Sequence, residues 1–252
     1  MADGFKDHFS GKAREYRAAR PSYPEELIAW VASMAAHRNL AWDAGCGNGQ
    51  ATVGLAAHFA RVLGSDASRA QIEQAEPRTK VEYRIADEGD SGLEPASVGL
   101  VTVAQALHWF DTARFFAEVD RVLAPNGLLA VWCYGPIVIA GAEQPAFAQF
   151  HRERIAAHWP PERALVESGY APIRFPYPTV TAPAFAMRQS MSRAEFLAYV
   201  DTWSALARAR QAGLRDPLLD LEALLEPTWP DDGEARRSVS WPLALRACRK
   251  PN

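Results

Sequence analysis

Cysteine is scarce. The 252-residue chain has three, Cys46, Cys133 and Cys248, an odd number at wide spacing. Neither a disulfide framework nor a cysteine-based zinc spacing fits that pattern. No apolar run approaches the ~18 residues of a membrane helix. The first eight residues, Met1 to His8, are polar and lack the apolar core of a signal peptide. Lysine-rich blocks are missing and the net charge is −3. A general phosphate-backbone binder would be more basic, so nucleic acid is disfavoured as a partner. Internal repeats and low-complexity tracts are absent as well. What remains is a protein expected in a reducing cytoplasm, with no membrane and no metal, monomeric or homodimeric.

What the chain does have is apolar residues and a glycine-rich turn. Hydrophobic residues make up 48% of it, enough for a large core in one α/β domain, with or without a cap. Leu40-Ala41-Trp42 reads as the end of a buried strand, and Gln50 to Phe59 as a helix with apolar residues at 51, 53, 55, 56 and 59. Between them stand Gly45, Gly47 and Gly49. Glycine permits positive φ and leaves the backbone open to a ligand. A strand, a glycine turn and a helix N-terminus together form the place where open α/β sheets hold nucleotides. The dinucleotide pattern G-x-G-x-x-G is not met, because Gln50 stands where its third glycine belongs.

Asp43-x-Gly45-x-Gly47-x-Gly49 resembles the first motif of class I S-adenosylmethionine-dependent methyltransferases. Two further stretches agree with it in order. The leader, Asp7-His8-Phe9-Ser10 through Tyr16 to Arg20-Pro21-x-Tyr23-Pro24, and Ala104-Gln105-Ala106-Leu107-His108-Trp109-Phe110-Asp111 are similar to the subgroup that includes the fungal trans-aconitate methyltransferase. The resemblance runs along essentially the whole chain. It implies the α/β, Rossmann-like seven-stranded methyltransferase sheet, mostly parallel with an antiparallel last strand, and S-adenosyl-L-methionine as cofactor. Cofactor contacts then fall on Asp43, Gly45, Cys46 and Gly47 in the turn. They continue with Asp66 and Ala67 after the second strand, Ala86 and Asp87 after the third, and Ala104 and Gln105 after the fourth.

Several of these residues also carry a local reading. Asp66 ends the strand 60–66, where a carboxylate can accept from both ribose hydroxyls or else cap the next helix, although Ser68 is already a good cap. Trp109 and Phe110 suit a core, and Asp111 suits the cap of helix 112–123; Gln105 and His108 are the better cleft candidates. Cys46 reads as structural. Leader aromatics indicate packing against something, either as a lid over the cofactor or as a covering helix.

The rest divides as follows: a lid segment 1–24, a cofactor-binding core 25–135, a cap insertion 136–183 and the remainder of the sheet 184–252. Residues 25–37 read as a helix, 81–86, 98–104 and 128–134 as strands, and Gly127 as a helix C-cap. Within the insertion 142–159 is helical and prolines follow. Then come a strand over 184–191, a single helix 192–210 opened by the Ser192/Glu195 capping box, a helix 217–225, and a strand 237–248. Pro242 inside that last strand argues for an edge or a bulge.

Direct methyl transfer needs an in-line nucleophile at close approach, and a carboxylate is already ionised at neutral pH. The residues expected to position it are Arg20, Tyr16 and His108, and the expected reaction is carboxyl O-methylation of a small acid. Other acceptors (hydroxyl, amine, RNA or protein) and a non-catalytic nucleotide-binding module stay open. A nicotinamide dehydrogenase is opposed by the glycine spacing and by the lack of a Tyr-x-x-x-Lys.

Overall fold

A computed structural model describes residues 22–230 and 235–252. The chain alternates helix and strand: α1 (Glu25–Ser33), β1 (Leu40–Ala44), α2 (Gln50–Leu55), β2 (Arg61–Asp66), α3 (Arg69–Glu73), β3 (Val81–Ile85), β4 (Val98–Ala104), α4 (Thr112–Val122) and β5 (Leu123–Tyr134). The second half contains β6 (Val138–Ile139), α5 (Glu143–Phe150), α6 (Arg163–Glu167), β7 (Thr179–Val180) and β8 (Phe185–Met191). It ends with α7 (Arg193–Asp201), α8 (Ser204–Gln211), α9 (Pro217–Leu225) and β9 (Arg237–Arg249).

The sheet runs β3-β2-β1-β4-β5-β9, parallel from β3 to β5 and antiparallel at β9. On one side β9 faces β5 and then β6; on the other it faces β7 and β8. The strand order reverses between β1 and β4, which is where open α/β sheets leave a crevice. Six of the seven residues of β4 are buried, as a strand covered on both faces requires.

Two cores flank the sheet. One holds Leu27 and Val31 of α1, Leu55 of α2, and Phe147, Phe196, Leu221 and Trp229 from the second half. The other holds Phe115, Val119 and Val122 of α4, one stripe at helical spacing, with Val166 and Tyr170. Each fully buried side chain of this size stabilises the fold by about 1.5–3 kcal/mol. Caps agree with the sequence: Asp111 accepts from the N–H of Ala113 and Arg114, Ser68 from that of Gln71, and Ser192 with Glu195 closes a capping box.

The sequence expectations fail in four places. Pro242 lies in a central strand, without a bulge, opposite Ala186. Even-numbered residues of β9 point their backbone at the β5 side, as the bonds of Ser238 O and Lys250 N show. The missing donor of Pro242 therefore faces the break between β5 and β6, where no ladder bond is lost. The helix expected over 192–210 is two helices, because Trp203 is extended and turns its ring into Phe147, Trp159 and Tyr199. Residues 163–167 form a helix amid the prolines. Finally, α4 is capped at Leu123, and the left-handed residue of the following turn is Asn126.

Candidate functional site: the carboxyl ends of β1 to β5

β1 delivers the glycine turn. Gly45 has φ +64, and a Cβ there would lie 2.7 Å from Ala106 Cβ and 2.8 Å from Phe110 Cζ. Gly49, with φ +91, heads α2, and a Cβ would run into the Tyr83 hydroxyl. Both positions favour glycine on conformation, and Gly45 on space as well. A Cβ at Gly47 would meet only Gln71 Oε1, at 3.7 Å, so this backbone lies open to approach. The Cys46 N–H donates to Ser65 O at 2.9 Å, which ties the turn to β2. The Cys46 side chain is buried; burial, followed by the charges of Asp43 and Asp66, pushes its thiol well up, so it stays protonated.

Asp43, the acid of the motif, lies at the base of the turn. It is fully buried, its Oδ2 accepting from Thr52 Oγ1 at 2.6 Å and its Oδ1 from Thr102 Oγ1 at 2.8 Å. Burial pushes the carboxyl up to about 6, against the pull of the two hydroxyls. Both oxygens are thus engaged within the protein, by a hydroxyl from α2 and one from β4. What it does is fasten β1, α2 and β4 beneath the turn.

Asp66 ends β2 as expected. Its Oδ2 accepts from the Gly47 N–H at 2.9 Å and its Oδ1 from the Ser68 N–H at 2.8 Å. The carboxylate is thus clamped beside the turn and partly exposed, while Ala67 beyond it is exposed. The Ala86 N–H donates to Asp66 O at 3.1 Å, bringing the ends of β2 and β3 together. Asp87 follows, half-exposed, with Oδ1 accepting from the Gly89 N–H at 2.8 Å and with Arg114 Nη2 at 3.2 Å from Oδ2.

Beyond β4 the chain is strained. Gln105 has φ +58, which a side chain rarely adopts. Its N–H donates to Trp132 O and its Oε1 accepts from the Tyr134 N–H, both at 2.8 Å, so it clasps the end of β5. Ala104, the last residue of β4, pairs with Trp132. His108 follows in the short turn Leu107–Trp109, its Nδ1 3.0 Å from the Tyr170 hydroxyl. Burial and then Arg163 hold His108 down to about 4, so the ring is neutral at physiological pH. Phe110 packs on Phe115, and Asp111 caps α4, the core and cap roles the sequence allows. Tyr16 and Arg20 lie outside the described residues.

Sequence reasoning missed Thr52 and Thr102, although a lone hydroxyl within an apolar strand or helix face was a visible signal. It also missed Tyr170 and Arg163, which sit in the proline-rich insertion where no periodicity marks them.

Comparison with known proteins fits this geometry. The methyltransferase domain family matches residues 42–131. A Dictyostelium discoideum protein named as a methyltransferase is 35% identical over 252 residues, covering 98% of this chain and 96% of that one. This chain belongs to the S-adenosylmethionine-dependent methyltransferases. A solved structure from Anaeromyxobacter dehalogenans, described there as a type II methyltransferase, superposes with TM-score 0.86 at 40% identity, covering 92% of this chain and 99% of the other. A Saccharomyces cerevisiae protein named as an S-adenosylmethionine-dependent methyltransferase is 33% identical over 150 residues, 55% of this chain and 48% of its own.

The methyltransferase's strand ends suit its cofactor: an open glycine backbone, and two carboxylates, at Asp66 and Asp87, on adjacent strands. No metal-ligand cluster of histidine, cysteine and acid occurs among the described residues, and no described helix is long and apolar enough to cross a membrane.

Proposed function

We propose that this methyltransferase acts on a small molecule and forms the methyl ester of a carboxylic acid. The cofactor supplies a methyl group on a cationic sulfur. Asp66 takes the ribose hydroxyls, Asp87 lies by the adenine, and the backbone from Gly45 to Gly47 with Ala67, Ala86, Ala104 and Gln105 lines the rest. Asp43 supports this from below through Thr52 and Thr102.

The observation that carries the acceptor reading is the state of the titratable groups at the ends of β4 and β5. His108 is held neutral and weakly basic, down at about 4. Burial pushes the Cys133 thiol up to about 12 and the Tyr170 hydroxyl higher still. None of these three side chains, His108, Cys133 and Tyr170, is set to take a proton from a hydroxyl or an ammonium at neutral pH. A carboxylate asks for no base, because it is ionised already. It needs donors and close, in-line approach. His108 can donate one N–H, and Gln105 has an amide –NH2 with no protein partner among the described residues. The insertion 136–183 walls this side of the cleft, which favours a small acceptor over RNA or protein. Tyr16 and Arg20, in the leader 1–24 and outside the described residues, are proposed as further positioning residues.

Product chemistry tests the reading. Methyl-labelled cofactor and a panel of small acids, phenols and amines should give label that alkali releases as methanol. Label that survives alkali would overturn the ester.

A further inference from the structure

One segment of the insertion crosses from one face of the sheet to the other. Ile155 and Trp159 pack with the core on the α1 side, Val166 and Tyr170 with the core on the α4 side. The crossing lies over the carboxyl ends of β4 and β5: Tyr170 meets His108, and Cys133 Sγ approaches Val166 O at 3.6 Å. Arg163 rides on this strap.

Its side chain is only 18% exposed. Its Nε reaches Glu167 Oε1 at 3.5 Å, the outer limit of a hydrogen bond, and its guanidinium carbon lies 4.5 Å from the centre of the Trp159 ring. Neither Nη group bonds a protein atom among the described residues. The guanidinium is thus largely enclosed by protein yet held by one long contact, its outer edge still open to approach.

Two further groups around the same indole share the condition. His151 lies 6.0 Å from Trp159, ring to ring, in a π-helical turn (His151–Ile155) that follows α5. Its Nε2 is buried without a partner, and so is Trp159 Nε1. Buried polar atoms are nearly always bonded, and π-helical turns occur frequently at functional sites. Burial, and then the charge of Arg163, keep the His151 imidazole neutral, so it offers one N–H.

We propose that Arg163, His151 and Trp159 form the anion-recognition site for the methyl acceptor, with the free edge of the guanidinium taking both oxygens of a carboxylate. Guanidinium geometry suits that two-point contact. The assignment deepens, and rests on, the reading of the acceptor as a small acid.

The test is calorimetric titration of the S-adenosylhomocysteine complex of the full chain with fumarate, glutarate and benzoate. At least one should bind, and Arg163→Gln should lose at least tenfold of that affinity, with cofactor affinity and melting temperature unchanged. Arg163→Lys keeps the charge but not the fork and should fall between. Binding of none of the three acids overturns the site, as does equal binding by wild type and either variant. Turnover of the bound acid with labelled cofactor is scored separately. Alkali-stable label with Arg163-dependent binding sinks the ester and keeps the site; alkali-labile label without Arg163 dependence sinks the site and keeps the ester.

Discussion

Replacing Asp66 by asparagine probes the cofactor side most informatively. The carboxylate accepts from the N–H groups of Gly47 and Ser68, and it is the group assigned to the ribose hydroxyls. Asparagine keeps one acceptor oxygen and turns an –NH2 toward an N–H that needs an acceptor. The variant therefore loses the negative charge, one bond within the turn and at least one bond to ribose. A hydrogen bond to a charged group is worth about 1.5–3 kcal/mol. At about 1.4 kcal/mol per tenfold, S-adenosylhomocysteine should bind roughly tenfold to a hundredfold more weakly. Isothermal titration calorimetry reads this directly. Asp87→Asn is the internal comparison: that carboxylate is half-exposed and paired with Arg114, so its loss should be smaller. Wild-type affinity in Asp66→Asn would refute the assignment.

Four further outcomes are expected. Because burial raises Asp43 to about 6 from 3.8, the folded state holds a proton that the unfolded chain has released. Its contribution to stability is full below about pH 4 and lost as pH rises through about 6, a change of roughly 2 pK units or about 3 kcal/mol; Asp43→Asn should flatten that part of the profile in urea titrations at pH 4.5 and 7.5, and parallel profiles would contradict the account. Gly45→Ala places a Cβ 2.7 Å from Ala106 at φ +64 and should cost about 2–4 kcal/mol of unfolding free energy; a loss near zero would mean that the turn adapts. Cys46→Ala should keep most activity, whereas normal cofactor binding with no turnover would reveal a covalent role. Deleting residues 1–20 should leave the domain folded by circular dichroism yet abolish methyl transfer, and full activity of the truncated chain would remove Tyr16 and Arg20 from the site.

Local features of the sequence proved to be legible. The glycine turn, the acid that ends β2 and the one just beyond β3, the apolar run of β4 and the Ser192/Glu195 capping box are each set by a few neighbouring residues, and each stands where the sequence puts it. Long-range packing was not legible. Pro242 could be central only because β5 breaks opposite it, which no local pattern records. The helix over 192–210 stops at Trp203 because the ring finds a better partner in the aromatic cluster than in a continued helix, so tertiary contact overrides propensity. Asp43 shows the same limit: the motif marks it as important, but only the packing of Thr52 and Thr102 reveals that it works from beneath the turn. Arg163 lies among prolines with no periodicity, and its isolation emerges only from the three-dimensional arrangement of Trp159, His151 and Glu167.

The cofactor is proposed to lie across the carboxyl ends of β1 to β5 with its sulfur directed at the acceptor side. A crystal structure of the complex with S-adenosylhomocysteine tests it most directly. Ribose hydroxyls are expected within hydrogen-bonding distance of Asp66, the adenine beside Asp87, and the sulfur end facing Gln105 and His108. A cofactor that leaves Asp66 untouched, for example one lodged in the groove lined by Ser22, Tyr23, Asn48 and Arg78 beside α1 and α2, would contradict it.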